Sequence, residues 1–128
     1  MVGEYLASNG SSAHESREHL MMFVIDVLKY DFETIAFTLD LLNDEGSVGW
    51  RFAWNGEFRA EEVIDALEEL LSRRLVECYK DAPGYAELVR LEPPIDLRGD
   101  RESLWFRLTP DGRAAWERWD PPLDSRER

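Results

Sequence analysis

Two histidines, one cysteine and many carboxylates are the groups in this chain that could do chemistry, and their spacing limits what each can do. His14 and His19 stand five apart in His14-Glu15-Ser16-Arg17-Glu18-His19. A helical zinc site needs histidines four apart, nearly superimposed on one face. Five apart turns them by about 140°, so one ion does not easily take both. Cys78 is the single cysteine, which excludes an intrachain disulfide, and no histidine lies at a spacing that would make a zinc site or an activated thiol. Its setting in an apolar alternation predicts a buried, inert thiol. Gly46-Ser47-Val48-Gly49 has neither the length nor the lysine of a phosphate-binding loop. Carboxylates are so abundant that a pair of them carries no catalytic information. A non-catalytic protein without metal or cofactor is the expectation.

Charge says more than any of these residues. The 128 residues hold 15 basic and 27 acidic side chains, a formal net charge of −12. Nucleic acid is a dense polyanion bound through Lys and Arg that displace its counterions. A balance this negative opposes that encounter unless a local basic patch overrides it. A hydrophobic fraction of 44% with 12% aromatics describes an ordered chain long enough for one real core. The longest apolar run, Leu20 to Ile25, is closed by Asp26 and falls far short of the ~20 residues that cross a bilayer. The opening residues lack the charged-then-apolar layout of a secretory signal, so a reducing cytoplasm is the expected setting.

The elements follow from hydrophobic period. Residues 1–12 are small and polar with no sustained period and read as a mobile tail. Ser12 and Glu15 have capping-box spacing for a helix running to about Tyr30, apolar nearly all round and therefore central. Asp31 is a candidate cap for a second helix, from Phe32 to about Leu42, whose stripe is Phe32, Ile35, Ala36, Leu39 and Leu42. Phe37 and Leu41 form a second apolar strip on its other side. Residues 47–54, with Trp50, Phe52 and Trp54 alternating, read as a strand. Ala60, Val63, Ile64, Leu67, Leu70 and Leu71 then recur at helical spacing, and past Arg74 the period drops to two. An irregular stretch from Asp81 to Glu102 holds one short apolar piece (Ala86, Leu88, Val89). A strand from Ser103 to Leu108 leads to Thr109-Pro110-Asp111, a cap, a first-turn proline and a dipole-complementing acid for the last helix. Pro121-Pro122 stops that helix. One domain over 13–120, with a frayed end at 121–128, is the organisation these signals predict.

Two stretches resemble a known family. Ala66-Leu67-Glu68-Glu69-Leu70-Leu71-Ser72-Arg73-Arg74-Leu75-Val76-Glu77 resembles the third helix of a winged helix-turn-helix and its exit into the wing. Leu108-Thr109-Pro110-Asp111-Gly112-Arg113 resembles the second wing strand turning into the C-terminal helix of MarR- and PadR-type regulators. The resemblance implies a mostly helical α+β fold, with a three-helix core, a small antiparallel β-wing and a C-terminal helix. It also implies sequence-specific DNA binding through the third helix.

At that helix the chain departs from the pattern. With Val63, Ile64, Leu67 and Leu71 inward, the outward face is Glu62, Asp65, Glu69 and Ser72, flanked by Glu61 and Glu68. Base readers are typically Arg, Lys, Asn or Gln among phosphate contacts, so acid here disfavours major-groove binding. A solvated helix face is the commoner meaning of such a charge run. The functional reading is a docking surface, Glu62, Asp65 and Glu69, for a basic protein in a regulatory or immunity-like role. The alternative is a DNA-binding regulator using Arg59, Arg73, Arg74, Arg98 and Arg101, with Arg51 adding to the basic surface. A homodimer contact through Phe37 and Leu41 or through Trp116 and Trp119 is a further hypothesis, since Trp is a preferred interface anchor.

Overall fold

The core is built around the first helix. The computed structural model describes residues 10–29 (side chains from residue 17 onward), 32–44, 54, 56–81, 87–99 and 103–121. The elements are α1 (Gly10–Val27), α2 (Ile35–Asn43), α3 (Ala60–Ser72), β1 (Val76–Asp81), β2 (Leu88–Arg90), β3 (Leu104–Leu108) and α4 (Pro110–Arg118). The fold is α+β, and the strands form one antiparallel sheet in the order β2-β1-β3. In α1, Leu20, Met21, Phe23, Val24, Ile25 and Val27 are all buried, and so is Leu28 just past its end, as a helix apolar all round requires. They pack with Val63, Ile64, Leu67 and Leu70 of α3 and with Val76, Cys78, Leu104 and Phe106 on the sheet's inner face. Each such Leu, Ile or Phe contributes roughly 1.5–3 kcal/mol by leaving water.

Three expectations change. Helix α1 begins at Gly10, inside the stretch read as a tail. Helix α2 begins at Ile35, capped by Thr34, whose hydroxyl accepts from Phe37 N–H at 3.2 Å; Asp31 is not its cap. The reason lies in the sheet. Glu33 exchanges two backbone hydrogen bonds with Phe106 (2.9 and 2.8 Å), which holds residue 33 extended and leaves Phe32 outside the helix. The third change is in α2's stripe, where Ile35, Thr38 and Leu42 are buried while Ala36 is exposed. The strand expected over 47–54 lies outside the described residues except for Trp54, a bend residue stacked on Phe58 at 4.8 Å.

Helix α4 is joined to the exit of α3 by a close fit. The α3 helix ends in a Schellman turn: Leu75 N–H bonds Leu70 C=O, Arg74 N–H bonds Leu71 C=O, and Arg74 takes the left-handed conformation at φ 60°. The Leu75 carbonyl then accepts from Thr109 N–H at 3.1 Å, and the Thr109 hydroxyl donates to Arg74 C=O at 2.8 Å. The same hydroxyl oxygen caps α4 by accepting from Gly112 N–H at 3.0 Å. Any Cβ at residue 112 would stand 2.0 Å from the Leu75 oxygen, so this approach requires glycine.

Candidate functional site

Helix α3 offers its outer face to solvent because the inner one is consumed by the core. Val63, Ile64, Ala66, Leu67 and Leu70 are buried, whereas Glu61, Asp65, Glu68 and Ser72 are exposed, with Glu62 and Glu69 half-buried at the margins. The acidic ridge is therefore Glu61-Asp65-Glu68, rotated slightly from the Glu62-Asp65-Glu69 line read from sequence. Glu62 has a local task. Arg59 at the N-cap has no side-chain acceptor, and the Glu62 carboxylate reaches back to take Arg59 N–H at 2.9 Å.

A guanidinium lies over this ridge. Arg98 contacts Glu68 at 2.6 Å and Asp65 at 2.7 Å, with Glu61 at 3.8 Å. Leu97, buried beside it, plugs the loop into the core, and the Asp96 carboxylate accepts the N–H groups of Arg98 and Gly99 (2.9 and 3.2 Å). The loop is thus shaped to present Arg98 to α3. At the other end Arg73 pairs with Glu69 at 2.8 Å and, across the helix pair, with Glu18 of α1 at 3.2 Å. Hydrogen bonds to Asp65 and Glu68 raise the Arg98 pKa, and those to Glu18 and Glu69 raise that of Arg73. Five carboxylates (Glu18, Glu61, Asp65, Glu68, Glu69) face two guanidiniums, a local surplus of three negative charges. All of these groups are at or near the surface, where such pairs are screened and individually weak.

The other predicted residues are scattered. Arg59 and Arg74 are exposed at opposite ends of a 13-residue helix, about 20 Å apart at 1.5 Å per residue. Arg73 and Arg98 are engaged by carboxylates, and Arg101 lies outside the described residues, as does Arg51. Phe37 is 45% exposed, but Leu41 packs against the core. Trp116 and Trp119 pack inward too: Trp116 donates its indole N–H to the buried Asp26 at 2.9 Å, and Trp119 sits edge-on to Phe23 at 6.1 Å. Cys78 is buried as expected, its pKa pushed up to about 11 by that burial. The His14 side chain lies outside the described residues, and His19 lies near the Phe23 ring. Among the described residues no three His, Cys, Asp or Glu side chains group as metal ligands, and no helix is long and apolar enough to cross a membrane.

Sequence reasoning missed a second polar cluster, on the outer face of the sheet. Glu77, only 15% exposed at its side chain, accepts from Arg107 (3.2 Å) and Arg90 (3.3 Å) and from the Tyr79 hydroxyl (3.3 Å). Arg107 lies 5.0 Å from the Phe32 ring and 5.2 Å from that of Tyr79, and these two rings meet edge to face. A period of two puts Glu77 and Tyr79 on the face opposite Val76 and Cys78, and Arg107 opposite Leu104 and Phe106, without saying which face is the outer one. No local signal could have brought Phe32 to them, because that needs the Glu33–Phe106 pairing. Comparison with protein-family models, curated proteins and solved structures finds no match to the chain.

Proposed function

We propose that this chain is a non-catalytic winged-helix domain that acts by binding a basic protein through the outer face of α3. Three features support the winged-helix reading: a third helix running straight into β1, a hairpin that closes on β3, and an edge contact from Glu33 that precedes α2. The observation that carries the functional reading is the surplus of carboxylates on α3, gathered around one arginine side chain from elsewhere in the chain. A face that accepts a guanidinium from its own loop is chemically suited to accept one from a partner, and electrostatic complementarity then sets specificity and encounter rate. The cytoplasmic setting belongs to this same reading.

The test is titration with an arginine-rich peptide by fluorescence anisotropy. D65N/E68Q is expected to weaken binding about tenfold, roughly 1.4 kcal/mol. The control E117Q/D120N, with the same change in net charge on exposed residues of the last helix and its end, is expected to leave it within twofold. Equal loss in both variants would reduce the interaction to bulk charge and remove the proposal. The second reading, a DNA-binding regulator, is favoured by one observation: Arg59 and Arg74 have no carboxylate partner among the described residues. A mobility shift with duplex DNA at low salt, lost in R59Q/R74Q, would select it instead.

A further inference from the structure

A cleft of about 420 Å³ opens where the end of α1, the last residues of β3 and the start of α4 meet. Lys29, Arg107 and Arg113 line it, one cation from each of three separate parts of the chain, and Glu77 is the one carboxylate in its lining. Phe32, Leu28, Leu108 and Pro110 supply apolar wall. In a chain where acids outnumber bases 27 to 15, this concentration of positive charge runs against the whole.

The cations are held in place by the fold. Trp116 is fixed by its bond to Asp26, and both Lys29 and Arg113 lie over its ring, at 5.6 and 5.5 Å. Arg113 also donates to the Lys29 backbone carbonyl through one Nη, and it has no carboxylate partner among the described residues. Arg107 is steered by Phe32 and Tyr79 and uses its Nε on Glu77. Its two Nη groups, with the remaining Nη and Nε of Arg113, have no hydrogen-bond partner among the described residues. Asp26 offsets Lys29 and Glu77 offsets Arg107, while Arg90, which reaches Glu77 from outside the cleft, also lies 4.0 Å from Glu92. Arg113 is then left with its charge uncompensated among the described residues, one net positive charge in the cleft.

We propose that this cleft is a binding site for a small phosphate monoester, a ligand independent of the surface on α3. A phosphate monoester offers three acceptor oxygens to the two guanidinium groups at once, where a carboxylate has only two. Guanidinium forks bind phosphate oxygens in pairs, and at close quarters such charge-assisted bonds are the strong ones. The apolar wall by Phe32 and Pro110 takes the organic part of the ester.

The experiment is isothermal titration of the full chain with phenyl phosphate at low ionic strength, with phenol and inorganic phosphate as comparison ligands. Saturable binding at or below about 1 mM is expected, tighter than either comparison ligand. R107Q and R113Q are each expected to weaken it at least tenfold, and R118Q, with the same charge change one turn further along α4, by less than twofold. R107K and R113K keep the charge and lose the fork, and are expected to fall between wild type and the Gln variants. They serve as the readout should either Gln variant melt early. No saturable binding, or binding that the four cleft variants leave intact, overturns the proposal. So does binding through the same arginines to a 5′-phosphorylated oligonucleotide but not to phenyl phosphate, which would make the cleft a nucleic-acid contact.

Discussion

The junction between α3 and α4 and the outer face of α3 adjoin each other, yet they are held by opposite physics. At the junction, Leu75, Thr109 and Gly112 meet at hydrogen-bond distance with no room for one added carbon. On the outer face, Arg98 bridges Asp65 and Glu68 across solvent, where any partner can be exchanged for water. Close backbone contact tolerates no substitution; solvated charge tolerates nearly all. The difference shows where function can vary without loss of fold, and it is the reason binding tests belong on Asp65, Glu68 and Arg98.

Breaking the junction gives the largest expected effect. Gly112→Ala would push a methyl into the Leu75 carbonyl and is expected to cost about 3 kcal/mol, a fall of roughly 10 °C in melting temperature by calorimetry. Asn43→Ala comes next. Its amide makes two bonds to the backbone of Phe58, 3.0 Å to the carbonyl and 2.7 Å from the N–H, tying α2 to the entry of α3. Losing both is expected to cost about 2 kcal/mol in urea unfolding.

Alkali separates the interior from the surface more gently. Folding favours the protonated Cys78 thiol, whose pKa rises from 9.0 to about 11. That contribution is complete below pH 9 and is lost as pH climbs toward about 11, at no more than ~1.4 kcal/mol per pH unit. Cys78→Ala is expected to remove this part of the decline, measured as the difference between the two stability–pH curves. Arg74→Gly is expected to add up to about 1 kcal/mol, since glycine takes a left-handed φ without penalty. Arg98→Ala is the smallest, a melting temperature within about 2 °C of wild type, together with tighter binding of the arginine-rich peptide. A large loss of stability in Arg98→Ala would erase the contrast between the two regions.

Much of the fold was legible because its signals are local. The period in Ala60–Ser72, the alternation after Arg74 and the Thr109-Pro110 cap each sit within a few residues, and all three elements stand where expected. Cys78 and the central first helix were readable for the same reason. What was not legible depends on pairs far apart in sequence. Phe32 reads as the start of a helix until Phe106 draws Glu33 into the sheet. Arg98 reads as one of several wing arginines until Leu97 anchors it above α3. Trp116 reads as a candidate dimer contact until Asp26 is seen to take it inward. The acidic composition of the α3 face was plain from sequence, but its partial neutralisation was not.

The Trp116–Asp26 bond joins positions 90 apart, and the Glu33–Phe106 exchange is nearly as distant. The late part of this polypeptide therefore locks its early part, so synthesis must reach α4 before the interior can seal. A chain cut after Pro94 would lose more than a strand and a helix. Its core would be stripped of Leu97, Leu104 and Phe106, and Phe23 of the Trp119 ring, and such a fragment is expected to be cleared by proteases rather than to persist as a smaller domain.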